Sequence, residues 1–251
     1  MRPRVSTSAP RPLAPPRTRP LLTHPQGLHP SNTPFLLLLA FYALGTAATR
    51  AKHAAKARLV QSSTAAAARG RTPAQVLANS AAASALVLAS LVPGAPARAL
   101  AAGIVANYAA TTADTLSSEL GMLAWTAPRL ITTGRRCAPG TNGGVTLEGL
   151  LAGVAGAAAI GAVAGEMRVA LAAGAAGTVL DSLLGALAQE SVVDARSGRV
   201  VEAPGGGRVL VGAGASRRSV GGRDLLTNNG VNFVMAAAAA AGAVAATWAR
   251  A

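Results

Sequence analysis

Val145-Thr146-Leu147-Glu148-Gly149-Leu150-Leu151-Ala152-Gly153-Val154-Ala155-Gly156-Ala157-Ala158-Ala159-Ile160-Gly161-Ala162-Val163-Ala164 carries a single charge, near its start, and reads as a Gly/Ala-rich helix. About 20 such residues, rising 1.5 Å each, cross the hydrocarbon core of a bilayer. Five comparable blocks flank it: about Thr33–Thr49, Ala74–Val92, Ala97–Thr112, Met167–Ala188 and Thr227–Trp248. The turn Pro93-Gly94-Ala95-Pro96 separates the second from the third. The pattern predicts an all-α fold: a polytopic membrane helix bundle of about six transmembrane segments, with a polar motif loop over 114–144 between segments three and four. Ala is only weakly apolar, so these blocks suit close packing through small residues. Gly149 and Gly153, and Gly161 and Gly165, are four apart, a spacing that lets backbones approach; an Ala/Gly-rich composition alone produces the same spacing.

Composition agrees with a membrane protein. Of 251 residues, 51% are hydrophobic, only 13% charged and 3% aromatic, and the mean hydropathy is +0.39; a soluble domain carries roughly 25% charged residues. The net charge of +14 raises the question of nucleic acid. However, the bases sit in the N-terminal stretch and in loops between apolar blocks, with few aromatics to stack on bases, so nucleic acid is not expected as a partner; the lipid bilayer is. Cys137 is the single cysteine and excludes an intramolecular disulfide.

Residues 1–34 read as a region apart from the membrane-embedded domain of 35–251. They are rich in Pro and Arg and carry no acid, which fits either a disordered tail or an organelle transit peptide. The loop at 189–226 holds Gly205-Gly206-Gly207 and alternating apolar residues near Val200 and Val209, the pattern of a small hairpin.

Six spans place alternate loops on opposite sides. One side receives Arg50, Lys52, Lys56, Arg58, Arg69 and Arg71, then Arg129, Arg135 and Arg136, then Arg196, Arg199, Arg208, Arg217, Arg218 and Arg223. Outside the N-terminal stretch, the other side has only Arg98, Arg168 and Arg250. The positive-inside rule assigns the basic side to the cytosol or its organellar equivalent, leaving the membrane open between plastid and other endomembranes. The polar motifs fall on that same side.

Asp114, Glu119 and Asp181 are carboxylates in apolar surroundings, where ionisable groups serve function by default. They are candidate catalytic residues and candidate Mg²⁺ ligands, since Mg²⁺ takes one or two carboxylates plus phosphate oxygens; a helix cap or an ion pair with a loop Arg is the structural reading of Asp114. Gly140, Thr141, Asn142, Gly143 and Gly144 form a Gly-rich turn before a helix, a natural anion site, or simply a left-handed turn. Arg129 strengthens the phosphate reading; anchoring to lipid headgroups is its alternative. Asn228, Asn229 and Asn232 offer amides at a helix start, for substrate or for N-capping.

These same motifs resemble the transmembrane protein 19 family, which includes the plastid phytyl-phosphate kinase of the vitamin E pathway. The resemblance runs through Ala113-Asp114-Thr115 with Ser118-Glu119, Pro128-Arg129-Leu130-Ile131-Thr132-Thr133, Gly140-Thr141-Asn142-Gly143-Gly144-Val145-Thr146, Asp181-Ser182-Leu183-Leu184-Gly185-Ala186, and Asn228-Asn229 with Asn232. It covers about residues 35–248. It implies a polytopic membrane protein and, for the kinase branch, phosphoryl transfer from a nucleoside triphosphate to an isoprenoid (phytyl-type) monophosphate. A non-enzymatic carrier or binding protein for a phosphorylated lipid or small anion is the alternative. The chain departs from the family in two places. A Pro/Arg stretch stands where further hydrophobic segments precede Phe35, and Leu116 stands where an aromatic residue is common.

Overall fold

A computed structural model describes residues 25–51, 53–61 and 72–250. It is dominated by helices: α1 (Thr33–Arg50), the short α2 (His53–Leu59), α3 (Pro73–Ser90), α4 (Ala97–Gly121), α5 (Leu147–Ala164), α6 (Met167–Ala188) and α7 (Asn228–Trp248). The six long helices occupy the six apolar blocks. Four of them, α1, α5, α6 and α7, are long and apolar enough to cross a membrane. Their outward faces carry large exposed apolar side chains such as Leu147, Leu151, Phe233 and Trp248, as a surface against lipid requires.

α4 differs from these four because it lies inside. Residues 102–114 are buried without a break, and α5, α6, α7, α3 and α1 all pack on it. A helix wrapped by others needs no lipid-compatible face, so it tolerates Asn107, Thr111, Thr112 and Asp114. The helix also runs past Thr112 to Gly121. Asp114 and Glu119 therefore stand on its last turns rather than in the loop that was expected to begin at 114.

Glycines set the close approaches. A Cβ on Gly149 would lie 2.8 Å from the Ser117 carbonyl, and one on Gly153 would lie 3.0 Å from that of Ala113, so α5 packs backbone to backbone on α4. Gly165 has another role: with φ +70° and open space around it, it closes α5 as a left-handed C-cap. On α6, a Cβ on Gly177 would stand 2.6 Å from that of Ala110.

The first described turn, Pro25–Leu28, is part of the bundle. Gln26 is wholly buried and its Nε2 donates to the Tyr108 hydroxyl at 2.6 Å; Tyr108 also packs against Phe41. The region set apart at 1–34 thus joins the folded domain from Pro25, and its earlier part lies outside the described residues.

A small sheet covers the basic end of the bundle. Its strands are β1 (Val60–Gln61), β4 (Ser191–Asp194), β5 (Val200–Val201) and β6 (Arg217–Gly221), in the order β1-β5-β4-β6. β1 is parallel to β5, and the other pairs are antiparallel. The hairpin expected in the 189–226 loop is β4–β5. Val209 lies outside it, because the positive φ angles of Gly205 and Gly206 turn the chain away after β5. Val60, Val193 and Val200 form a second apolar cluster, with Met122 and Ala138 packed against it. A separate two-stranded ribbon joins β2 (Arg129–Leu130) to β3 (Gly144–Val145).

Replacing Gly177 with Val forces α6 away from Ala110. We expect a loss of about 1–3 kcal/mol from overpacking, read as a lowered thermal midpoint of the detergent-solubilised protein. Gly165→Asn, at a left-handed cap that Asn also adopts, should leave the midpoint within about 2 °C of wild type.

Candidate functional site

The site is built on the approach of α6 to α4. The two helices run parallel, with Gly174 beside Ala109 and Ala113, and Gly177 on Ala110. One turn further along each helix, the Asp181 carboxyl hydrogen-bonds that of Asp114. Asp114 is 8% exposed, and Asp181 Oδ1 is buried with no hydrogen-bond partner among the described residues. Two sequence-distant candidates thus form one carboxyl pair with a spare acceptor.

Glu119 is engaged elsewhere. Its carboxylate accepts from Lys56 Nζ at 2.8 Å and from Thr49 Oγ1 at 2.9 Å. Lys56 is 5% exposed and also donates to the Ala48 carbonyl at 2.5 Å. It therefore neutralises Glu119 and closes the open carbonyls at the C-terminal end of α1, the negative end of that helix. Among the described residues no three His, Cys, Asp or Glu side chains are grouped to hold a metal. Glu119 therefore stands apart from the Asp114–Asp181 pair.

The Gly-rich turn lies against the same stretch of α6. Gly143, at φ +75°, sits so close to the Ser182 carbonyl and to Ala186 that only glycine fits. Gly140, at φ +84°, is pressed against Val60 and Val200 of the sheet. Most of the turn's polar groups serve its own structure. The Thr141 and Gly144 amides donate within the turn, the Asn142 amide donates to Ser191 Oγ at 3.1 Å, and Asn142 Nδ2 donates to the Glu190 carbonyl at 3.0 Å. The turn is a wedge that fastens the α6 end to the sheet, and three of its N–H groups are spent there. Arg129 donates to the Gly134 carbonyl of its own ribbon at 2.7 Å; Arg129, Arg135 and Arg136 are exposed.

At α7 the N-cap is Thr227, which accepts from the Gly230 amide, so the asparagines are free of that duty. Asn229 Nδ2 donates to the Gly205 carbonyl at 2.9 Å, and its buried Oδ1 has no partner among the described residues. Gly206 packs against Asn229 and Asn228, while Asn232 is half-buried one turn further along. Gly205 touches Thr72, which caps α3. The triglycine loop thus bridges the starts of α3 and α7.

Desolvation of its carboxyl, with the charge of Glu119 adding to it, pushes Glu202 above the usual carboxylate range, although the residue as a whole is exposed. Backbone N–H groups of the β4–β5 turn, that of Arg196 foremost, hold Asp194 below that range. Burial raises the Cys137 thiol, against a smaller lowering by a hydrogen bond to Thr141.

Sequence reasoning missed Lys56, Glu202, Asn79 and Asn107. Lys56 was hidden in a run of loop cations that orientation already explained. The two asparagines carried a usable signal, since each is a polar residue within an apolar segment.

An integral membrane bundle with its ionisable groups gathered at one end is the class these features define. Residues 25–240 match the family described as integral membrane protein DUF92, and the chain belongs to that family. It is 56% identical over 57 residues to Protein PGR of Arabidopsis thaliana, a stretch covering 23% of this chain and 20% of that one. It is 53% identical over 55 residues to an uncharacterized membrane protein of Methanocaldococcus jannaschii, covering 22% and 23% respectively. The chain thus spans less than a quarter of the length of these curated relatives. No solved structure matches it.

Removing Lys56 strands Glu119 at the end of α4. Lys56→Met should destabilise by about 1–3 kcal/mol, and Lys56→Met with Glu119→Gln should recover part of that loss. Thermal unfolding of the four members of this cycle measures the coupling.

Proposed function

We propose that the chain is a lipid-phosphate kinase, transferring a phosphoryl group from a nucleoside triphosphate to an isoprenoid (phytyl-type) monophosphate at the basic end of the bundle. The observation that carries this reading is the joined Asp114–Asp181 pair with its spare oxygen, together with the likeness of the surrounding motifs to the phytyl-phosphate kinase branch.

The pair fits Mg²⁺, which takes one or two carboxylates and completes its shell with phosphate oxygens and water. When bound, Mg²⁺ neutralises charge on the transferring phosphoryl group. In the reaction, an oxygen of the isoprenoid monophosphate forms a bond to the terminal phosphorus of the nucleotide. The bridging P–O bond breaks, and the nucleoside diphosphate leaves with the bonding electrons. Arg129, Arg135 and Arg136 lie exposed at this end, where bidentate guanidinium contacts suit nucleotide phosphates. Asn228, Asn229 and Asn232 supply neutral amides for the acceptor phosphate, and its hydrocarbon tail lies among the small-residue helices.

One observation favours the second reading, a carrier or binding protein for a phosphorylated lipid or small anion. The Thr141, Asn142 and Gly144 amides are already engaged, so the turn offers a triphosphate fewer donors than a phosphate-cradling loop does. A single assay separates the two readings. Purified protein given phytyl monophosphate, Mg²⁺ and CTP or ATP should release one nucleoside diphosphate per isoprenoid diphosphate formed. Asp114→Asn and Asp181→Asn should each lower turnover roughly 10²-fold or more. Binding of phytyl monophosphate with no nucleoside diphosphate released would establish the carrier instead.

A further inference from the structure

The ribbon that follows α4 sets arginine against arginine. The Leu130 amide donates to the Arg135 carbonyl at 2.9 Å, and the Cys137 amide donates to that of Pro128 at 3.0 Å. Arg129 lies opposite Arg136 in an antiparallel bridge. In that bond pattern 129 and 136 are the non-hydrogen-bonded pair, the kind whose side chains stand closest, with Cα atoms about 4.5 Å apart. Like charges directly opposite one another weaken strand pairing. Both side chains are exposed, as is that of Arg135, and among the described residues none of the three forms an ion pair. Arg129 is held by its bond to the Gly134 carbonyl, which leaves most of its N–H groups open. Two guanidiniums on one face, with no carboxylate between them, suit an anion.

The surroundings bear on where that anion resides. β3 runs through the Thr146 cap into α5, whose exposed Leu147, Leu151 and Val154 form one lipid-facing stripe at i, i+4 and i+7. Thr126 is fastened to the first turn of that helix: its amide and its hydroxyl donate to the two Glu148 carboxylate oxygens at 3.3 and 2.6 Å. Trp125, next to it in the chain, is thereby held where α5 enters the membrane, and it is 97% exposed. It lines a hollow of about 240 Å³ with Pro128 and Cys137, the chain neighbours of the paired arginines. The other tryptophan, Trp248, is exposed at the far end of α7. The 21 residues of that helix span about 30 Å, the thickness of a hydrocarbon core. Tryptophan collects at both boundaries of a bilayer, and these two stand at its opposite sides.

We propose that the ribbon is a headgroup site for an anionic phospholipid of the leaflet on the basic side. Arg129 and Arg136 take the phosphate, Arg135 adds charge beside them, and Trp125 sits at the boundary with the acyl chains. A nucleotide phosphate makes the same guanidinium contact, but a soluble anion gives no reason for an indole left bare where a spanning helix enters. The inference does not rest on the kinase reading. It gives these arginines to lipid and leaves the Asp114–Asp181 pair as it stands.

The test uses the full-length chain with Trp248→Phe, which leaves Trp125 as its single tryptophan, in phosphatidylcholine bilayers. Phosphatidylglycerol or phosphatidylcholine brominated near the headgroup end of the acyl chain is added, and quenching of Trp125 is followed. Phosphatidylglycerol should be preferred about fivefold or more, the factor that one arginine contributes at a membrane surface. Arg136→Gln should lower the preference about fivefold, whereas Arg218→Gln, at an exposed position on β6, should leave it unchanged. Equal quenching by the two lipids overturns the proposal, as does a preference that survives Arg136→Gln. Quenching of Trp125 by aqueous iodide but by neither lipid also overturns it. A preference lowered equally by Arg218→Gln is the diffuse field of a basic surface, and one abolished by Mg²⁺ with CTP or ATP gives the arginines to nucleotide; either result overturns the headgroup site.

Discussion

Everything at the basic end depends on keeping one polar helix out of lipid. α4 carries Asn107, Thr111, Thr112 and Asp114 along a stretch buried without interruption, and Asn107 and above all Asp114 are costly against hydrocarbon. The bundle meets this constraint with small residues. Gly149, Gly153 and Gly156 bring α5 onto α4, and Gly174 and Gly177 bring α6 onto it. With hydrophobic association absent between helices in lipid, close van der Waals contact of this kind is what holds them together. The same contact sets the chemistry, because the approach at Gly177 is what carries Asp181 to Asp114.

The second constraint is at the ends of the helices. α1 ends in carbonyls, that of Ala48 among them, and α4 ends with the Glu119 carboxylate beside them. One buried ammonium, that of Lys56, satisfies both. The short α2 that bears Lys56 leads directly into β1, and β1 pairs with β5, so this ion pair also ties the sheet to the bundle. Glu202 follows β5 and faces the charge of Glu119. The sheet in turn grips Gly140, and the turn that begins there grips the end of α6. A chain of contacts thus leads from Lys56 to the helix turn that presents Asp181.

Much of this fold was legible in the sequence, because block length and hydropathy report directly on a bilayer-sized helix. The convergence of Asp114 with Asp181 was legible only as a shared side of the membrane; their contact depends on helix rotation, which the Gly174 and Gly177 positions determine and composition does not show. Glu119 reads as a third ligand by its type and its proximity to Asp114 in sequence. It lies five residues, about 140° around the helix, from Asp114, and so faces α1 instead. The Gly-rich turn carries a related ambiguity. Glycine marks either a cradle for an anion or a place where another backbone comes close, and only the position of Ser182 and Ala186 decides between them.

The polar face of α4 also settles from which side the interior can be reached. Leu86 and Val244 close over Gly103 toward the sparsely charged end, while Asn107, Thr111 and Asp114 lead toward the end that carries the sheet, the ribbon and most of the arginines. The polar face therefore leads from Gly103 toward the basic end, where Asp114 and Asp181 stand. A site with this asymmetry suits a molecule that is itself divided, charged at one end and apolar along the rest. A lipid phosphate, the ligand proposed above, is divided in this way whether it is phosphorylated or only bound.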